Sequence, residues 1–440
     1  MNGDISASSI TKFGGSTLII GKDQTAAARG DGGFSGNWVV NGGTLQFSTL
    51  GGAGNGGTIT LNSSSTSTAA GSTLTLNINS GNPALAQYTM GRIIAVDNAV
   101  ISVDTQTSDR TVGISDLEIF STDTTGLSPA RLRMFIGRDR SMVNAGVLYL
   151  TGTGNSIMDV AQVNTTNNQI TAGNSTGLNI TGLNGSKDLI KWGNGYLYVG
   201  GDNSSSFSGN LIIEAGAVAL TNANAFGNAA TNITVRRYGV LDLMVTGFNK
   251  AVTYETASIE RWSVDNARSG AINLQGATLQ VNADQFSTVA TVTLNGGSIE
   301  GFLRNDDLLS GNSGVVFRTL GSGVSFVLAS NSFVGQNAFT DGANGTDNGR
   351  SADNNPGAAL PDVNNNSALT DTARGVILEI QGNISGAGSL TKQSADTVIL
   401  SGNNSYAGGT NVTNGYLRIG SATALTNGTH DKTSARPLRR

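Results

Sequence analysis

The chain has 440 residues, of which 61 are glycine, five proline and none cysteine. Lys+Arg 26 against Asp+Glu 30 leaves a formal charge of −4, and charged residues make up only 13%. That composition excludes disulfides and thiolate metal sites, gives no basic stripe for nucleic acid, and contains no run of about eighteen apolar residues for a membrane helix. Valine, leucine and isoleucine recur in short alternating runs between Gly, Asn, Ser and Thr. This predicts stacked short strands with polar corners, not a disordered linker.

Taken in order, Met1-Asn2-Gly3-Asp4 carries neither a basic nor an apolar leader. The pattern starts at Gly3 and runs to Phe47. Strands are predicted at Thr58–Leu61 and Thr73–Ile78, and alternation continues over Tyr88–Val103 and Ile114–Phe120. Arg131–Arg140 reads as a strand whose arginines face solvent, because Leu132, Met134 and Ile136 alternate with them. Val147–Leu150, Ile180–Leu220, Ile233–Val235 and Leu241–Val245 follow. Ala271–Val281, Thr291–Ile299, Gly314–Phe317 and Val324–Leu328 keep the rhythm. Residues 340–372 break it: Asp, Asn, Gly, Ser and Ala with Pro356 and Pro361 predict a long polar loop. The strand pattern resumes over 373–425, and 426–440 reads as an irregular charged tail.

Three stretches share fixed offsets. Lys12, Lys191 and Lys392 each lie two residues after an apolar residue (Ile10, Leu189, Leu390) and six before another (Leu18, Leu197, Val398). Downstream stand Phe34-Ser35-Gly36, Phe207-Ser208-Gly209 and Tyr406-Ala407-Gly408. Nine residues past each aromatic is a glycine (Gly43, Gly216, Gly415), and eleven past is Leu45, Val218 or Leu417. The lysine-to-aromatic distance varies, which places insertions in one loop. A unit of this kind cannot bury its apolar face alone and needs like neighbours.

The string from Leu390 to Gly420 (L-T-K…V-I-L-S-G-N-N-S-Y-A-G-G-T-N-V-T-N-G-Y-L-R-I-G) resembles the autotransporter-associated β-strand repeat, also called the passenger-associated transport repeat. Looser copies lie at about 3–48 and 180–220. The resemblance implies an all-β fold, a right-handed parallel β-helix (solenoid), here with the long polar loop as an insertion. Residues 1–339 would form a β-helix with two copies, and 373–425 further rungs with the third. Each rung would comprise three short strands. It also implies an extracellular or outer-membrane-surface passenger, a stalk or display surface, with an adhesin as a further reading. The chain would be a monomeric fragment, held by an outer-membrane translocator barrel in the full-length protein. Host or cell-surface glycans or proteins are the partners it suggests.

Candidate chemistry is sparse. His430 is the only histidine, so a Ser-His-Asp arrangement has no place in the core. No catalytic, cofactor-binding or metal-binding residue is assigned. Asp306-Asp307 is an adjacent acid pair in a turn; pectin-degrading β-helices cluster Asp with basic residues, so a polysaccharide-active enzyme is the main alternative, and a glycan-binding or structural surface protein the third. Asp341, Asp347, Asp353, Asp362 and Asp371 offer oxygen ligands but lack the spacing of a calcium loop. Gly201-Asp202-Asn203-Ser204 departs from a lipase-type G-D-S at its third residue. Arg29-Gly30-Asp31 spells the integrin-recognition tripeptide in the insertion loop of the first copy and is the one adhesion candidate. Trp38, Trp192 and Trp262 are expected at rung corners or in small surface patches.

Overall fold

The computed structural model of the protein describes residues 1–63, 71–78, 85–105, 111–125, 128–137, 141–163, 177–228, 230–301, 316–335, 376–393, 397–425 and 430–432. The polar loop, Asp306-Asp307 and residues 138–140 lie outside the described residues. The chain divides into two units, residues 1–218 with 224–232, and 219–223 with 233–440.

In the first unit most parallel strands fall into two rows that alternate along the chain. Leu85–Gln87 and Thr111–Gly113 add a further side, the first pairing with the second and the second with residues 142–144. One row holds Ser9–Lys12, Asn37–Val40, Ile59–Asn62, Ile93–Val96, Leu117–Ser121, Met142–Gly152, Gly177–Gly185 and Tyr196–Val199. The other holds Thr17–Ile20, Gly43–Phe47, Ser72–Ile78, Asn98–Thr105, Ala130–Gly137, Ser156–Val163, Leu189–Trp192 and Leu211–Ile213. Parallel pairing between successive rungs puts like positions on top of one another. The period of two along each strand then sends every second residue inward. Leu18, Leu45, Leu74, Ile101, Met134 and Val160 are in register and form one apolar ladder. Trp38, Ile59, Ile93, Leu117, Leu148 and Leu183 form a second. Each such buried side chain stabilises the stack by about 1.5–3 kcal/mol.

Beyond the parallel pair Ile233–Val235 and Val252–Tyr254, the strands of the second unit fall into three parallel sheets, so its later rungs are three-sided as the sequence predicts. One contains Ile259–Trp262, Thr278–Val281, Ser298–Gly301, Ser332–Val334, Leu390–Lys392 and Thr410–Val412. A second contains Gly270–Gln275, Ala290–Asn295, Val324–Leu328 and Ile384–Gly386. The third contains Gln285–Phe286, Val316–Leu320, Val376–Ile380, Thr397–Leu400 and Tyr416–Ile419.

Three local readings change. The repeat copies build their rungs from two strands and a corner that holds a buried aromatic ring, Phe34, Phe207 or Tyr406. The loop of the first copy contains a single helical turn, Ala26–Arg29, closed by Gly30 at φ 73°. Within the tail read as irregular, His430–Lys432 is a strand paired with Thr410–Val412; an exposed row of backbone groups on the preceding rung templates it whatever its side chains.

Polar side chains bind the corners together. In the first unit, Asn210 donates through Nδ2 to Asp188 Oδ1 at 2.9 Å, and Asn232 donates to Asn210 Oδ1 at 3.2 Å. Buried Asn203 accepts from the Leu183 backbone N–H at 2.9 Å and donates to the Ala225 carbonyl at 2.7 Å, 22 residues on. Asn404 does the same in the second unit, between the Ile384 N–H and the Ala424 carbonyl. Each amide thus satisfies a backbone group of the rung before and one of the rung after.

Candidate functional site

The fixed offsets of the three copies converge on one corner. Each copy is strand, strand, aromatic corner, strand, strand. The lysine is the last residue of the first strand in two copies and next to last in the Leu189–Trp192 copy, and the glycine stands just before the last strand or opens it (Gly43, Gly216, Gly415). Because the lysine follows an apolar residue by two, it shares that residue's inward face. Lys12, Lys191 and Lys392 are all buried, the last two completely. Lys191 stands in register between Met158 and Ile213, and Lys392 between Val334 and Val412. An ammonium group therefore ends each of these side chains within an otherwise apolar ladder.

Backbone carbonyls receive it. Lys191 Nζ donates to the carbonyls of Trp192 at 2.6 Å, Gly193 at 2.8 Å and Ala215 at 3.2 Å. Lys12 Nζ donates to Gly14 and Gly42 at 2.7 Å each and to Phe13 at 3.4 Å. Lys392 Nζ donates to Asn414 at 3.4 Å. In the first two copies the acceptors follow one rule: two carbonyls from the lysine's own turn, and one from the same turn of the next rung. The third copy keeps the cross-rung acceptor. The acceptor in the next rung directly precedes the repeat glycine in every case. Burial pulls the Lys191 ammonium down to about 7, with Asp159 partly opposing the shift.

The glycine is required by the same corner. Gly43, Gly216 and Gly415 take φ 68°, 66° and 65°. A Cβ on Gly43 would meet the Gly14 and Ser16 carbonyls at 2.5 Å and Lys12 Nζ at 2.6 Å. On Gly216 it would press on the Gly193 carbonyl and Lys191 Nζ. Gly216→Ala is expected to lower stability by about 2–3 kcal/mol, combining left-handed strain with loss of the socket. Gly247→Ala, at φ 76° with nothing within 4 Å, should cost only about 1 kcal/mol. Urea denaturation of the two variants side by side checks the difference.

The repeat aromatics close the corners. Phe34 packs edge-on against Trp38 with ring centroids 5.1 Å apart, and Phe207 against Phe226 at 6.3 Å. Tyr406 Oη and Thr410 Oγ1 share a hydrogen bond at 2.5 Å. Burial raises the Tyr406 phenol, and that bond partly opposes the shift.

The tripeptide Arg29-Gly30-Asp31 sits at the end of the helical turn. The Arg29 side chain is only 2% exposed. Its guanidinium donates to the Ile5 carbonyl and, at 2.6 Å, to Asp31 Oδ2. That bond holds the Asp31 carboxyl below the usual carboxylate range. Among the described residues no group of three or more His, Asp and Glu converges as a metal site.

Sequence reasoning treated the lysines as markers and missed their inward direction, which the two-residue spacing from Leu189 and Leu390 already contained. It also missed two polar assemblies of the second unit. Glu260, fully buried, accepts from Trp262 Nε1 at 2.7 Å and from the Tyr254 hydroxyl, and faces Arg268 Nη1 at 3.4 Å. On the other face of the same strands, Asp242, Arg261, Gln280 and Glu300 stand in register as a buried ladder. Arg261 donates to Gln280 Oε1 at 2.8 and 3.0 Å, and Gln280 donates to Glu300 Oε2 at 3.1 Å.

The passenger-associated-transport-repeat family matches residues 10–47, 189–220 and 390–419. These three matches coincide with the three lysine sockets. No curated protein and no solved structure matches the chain.

Proposed function

We propose that a chain carrying three passenger-associated transport repeats in a parallel β-solenoid serves as a non-enzymatic extracellular passenger segment of an autotransporter, a stalk or display surface. The observation that carries this reading is the repeat corner itself: its invariant parts are spent on joining one rung to the next. In a solenoid, stability is a sum of local rung contacts, so folding can proceed from one end as the chain emerges from a pore. The translocator barrel of a full-length protein is the partner this reading requires.

The test fuses the chain between a cleavable export signal and an outer-membrane barrel in a Gram-negative host. Protease added to whole cells should remove the passenger, and Lys191→Ala with Lys392→Ala should reduce its surface amount while the barrel still assembles. A passenger retained inside the outer membrane, or variants displayed at undiminished level, would overturn the reading.

An enzyme acting on polysaccharide is the competing reading, and release of reducing ends from polygalacturonate by the purified chain would establish it. The buried, mutually bonded state of Asp242, Arg261 and Glu300 favours a structural role for that ladder. An adhesin role through Arg29-Gly30-Asp31 requires Arg29 to leave its bonds to Ile5 and Asp31. Asp31→Glu is therefore expected to leave attachment to integrin-bearing cells unchanged, as counted in an adhesion assay.

A further inference from the structure

We propose that the outward sheet face formed by Arg131, Arg133, Asp159 and Trp192 binds an acidic saccharide. The two guanidinium groups would take a ring carboxylate, and the indole the apolar face of the sugar. All four residues belong to the first unit. The proposal stands on this sheet face alone and does not depend on secretion or on the passenger reading.

The strands Ala130–Gly137, Ser156–Val163 and Leu189–Trp192 are consecutive neighbours in one sheet. Their register sets Arg133 opposite Asp159 and Asp159 opposite Trp192. Leu132, Met134, Met158 and Lys191 point inward, so these three point out together. Neighbouring strands are about 4.8 Å apart, which makes guanidinium, carboxylate and indole a continuous row across three rungs.

Asp159 holds the arginines in place. Its carboxylate is 5% exposed, and its Oδ2 accepts from Arg131 Nε at 3.0 Å, from Arg131 Nη2, and from Arg133 Nε at 2.8 Å. Arg131 Cζ lies 5.1 Å from the Trp192 ring centroid, and Arg133 Cζ 5.6 Å from that of Phe135. Both arginines are thereby fixed in direction. Nη1 of Arg131 and both Nη atoms of Arg133 nonetheless donate to no described residue. The side chains remain open, at 28% for Arg131 and 37% for Arg133, with Trp192 39% exposed. Donors already oriented and still unspent bind a planar anion without the entropy cost of ordering two long side chains.

Charge sets the class of ligand. Two guanidinium groups surround one carboxylate, which leaves the patch net positive, so it favours an anion. An exposed indole beside the donors calls for an apolar surface next to that anion. A uronic acid ring offers both within one residue. An anionic membrane or a nucleic acid is recognised by many cations over a wide area, whereas this patch is small and the whole chain carries −4.

Calorimetric titration of the purified full chain with a polygalacturonate oligomer tests this, with neutral dextran as the reference sugar. Polygalacturonate should bind and dextran should not, and added salt should weaken the binding. Trp192→Ala and Arg133→Gln should each weaken it about tenfold or more at unchanged melting temperature. Arg133 is the one replaced because Arg131 then still pairs with Asp159. Absence of polygalacturonate binding overturns the proposal, as does equal binding by wild type and both variants. Equally tight binding of phosphatidylglycerol vesicles or single-stranded DNA also overturns it.

Discussion

Lys191→Ala is expected to destabilise the protein by about 3–5 kcal/mol, seen as a lower urea midpoint. Two losses combine. Removing the buried methylene stem opens a cavity between Met158 and Ile213. Removing the ammonium leaves the Trp192, Gly193 and Ala215 carbonyls without their donor. Lys191→Met keeps the stem and removes only the donor, so it should cost less, about 1–3 kcal/mol. The pair of variants separates packing from hydrogen bonding. Lys191 also gives stability a pH dependence of known sign. Folded, it titrates near 7; unfolded, it returns to the ordinary lysine value of 10.5. Between those values the unfolded chain binds more protons, so this group makes stability rise with pH across that window. Below about 7 it contributes no slope. Lys191→Met should abolish the rise in a series of urea midpoints between pH 7 and 10.

Glu260→Ala is expected to cost about 3–5 kcal/mol, because Arg268 would remain buried without its carboxylate. The Tyr254 hydroxyl and the Trp262 indole N–H would lose their acceptor as well. Glu260 occupies an inward position between Leu241 and Leu279. An apolar replacement therefore fits the ladder once the arginine is also removed. Glu260→Leu combined with Arg268→Met should recover most of the lost stability, since a buried ion pair exchanged for packed apolar groups is often neutral. If the double variant is as unstable as Glu260→Ala, the loss lies in the Tyr254 and Trp262 bonds instead of the stranded charge.

Much of the solenoid was legible because its signals are local. Alternation located the strands at Val324–Leu328 and Val376–Ile380, and it set Arg131 and Arg133 outward. Fixed offsets identified the lysine, the aromatic and the glycine of each copy. The sequence did not reveal why they recur together. Lys12 and Gly42 are 30 residues apart, Lys191 and Ala215 24. Only the stacking of one rung on the next brings them into contact. The same holds for Arg131, Asp159 and Trp192, whose alignment depends on how many residues each intervening turn absorbs. Trp38 and Trp262 are buried whereas Trp192 lies on the surface, and parity with Leu189 and Lys191 already set Trp192 outward.

The lysine socket also bears on errors of assembly. A ladder of Leu, Ile and Val is nearly degenerate: shifting the stack by one whole rung still buries every side chain. Hydrophobic burial alone therefore discriminates poorly between the correct partner rung and the one beyond it. A lysine removes the degeneracy, because a slipped rung must bury its charge where the matching turn carbonyls are absent. Three such residues act as addresses along a molecule otherwise written in repeated letters. Replacing them with leucine should leave strand content unchanged but multiply the conformers resolved by hydrogen exchange.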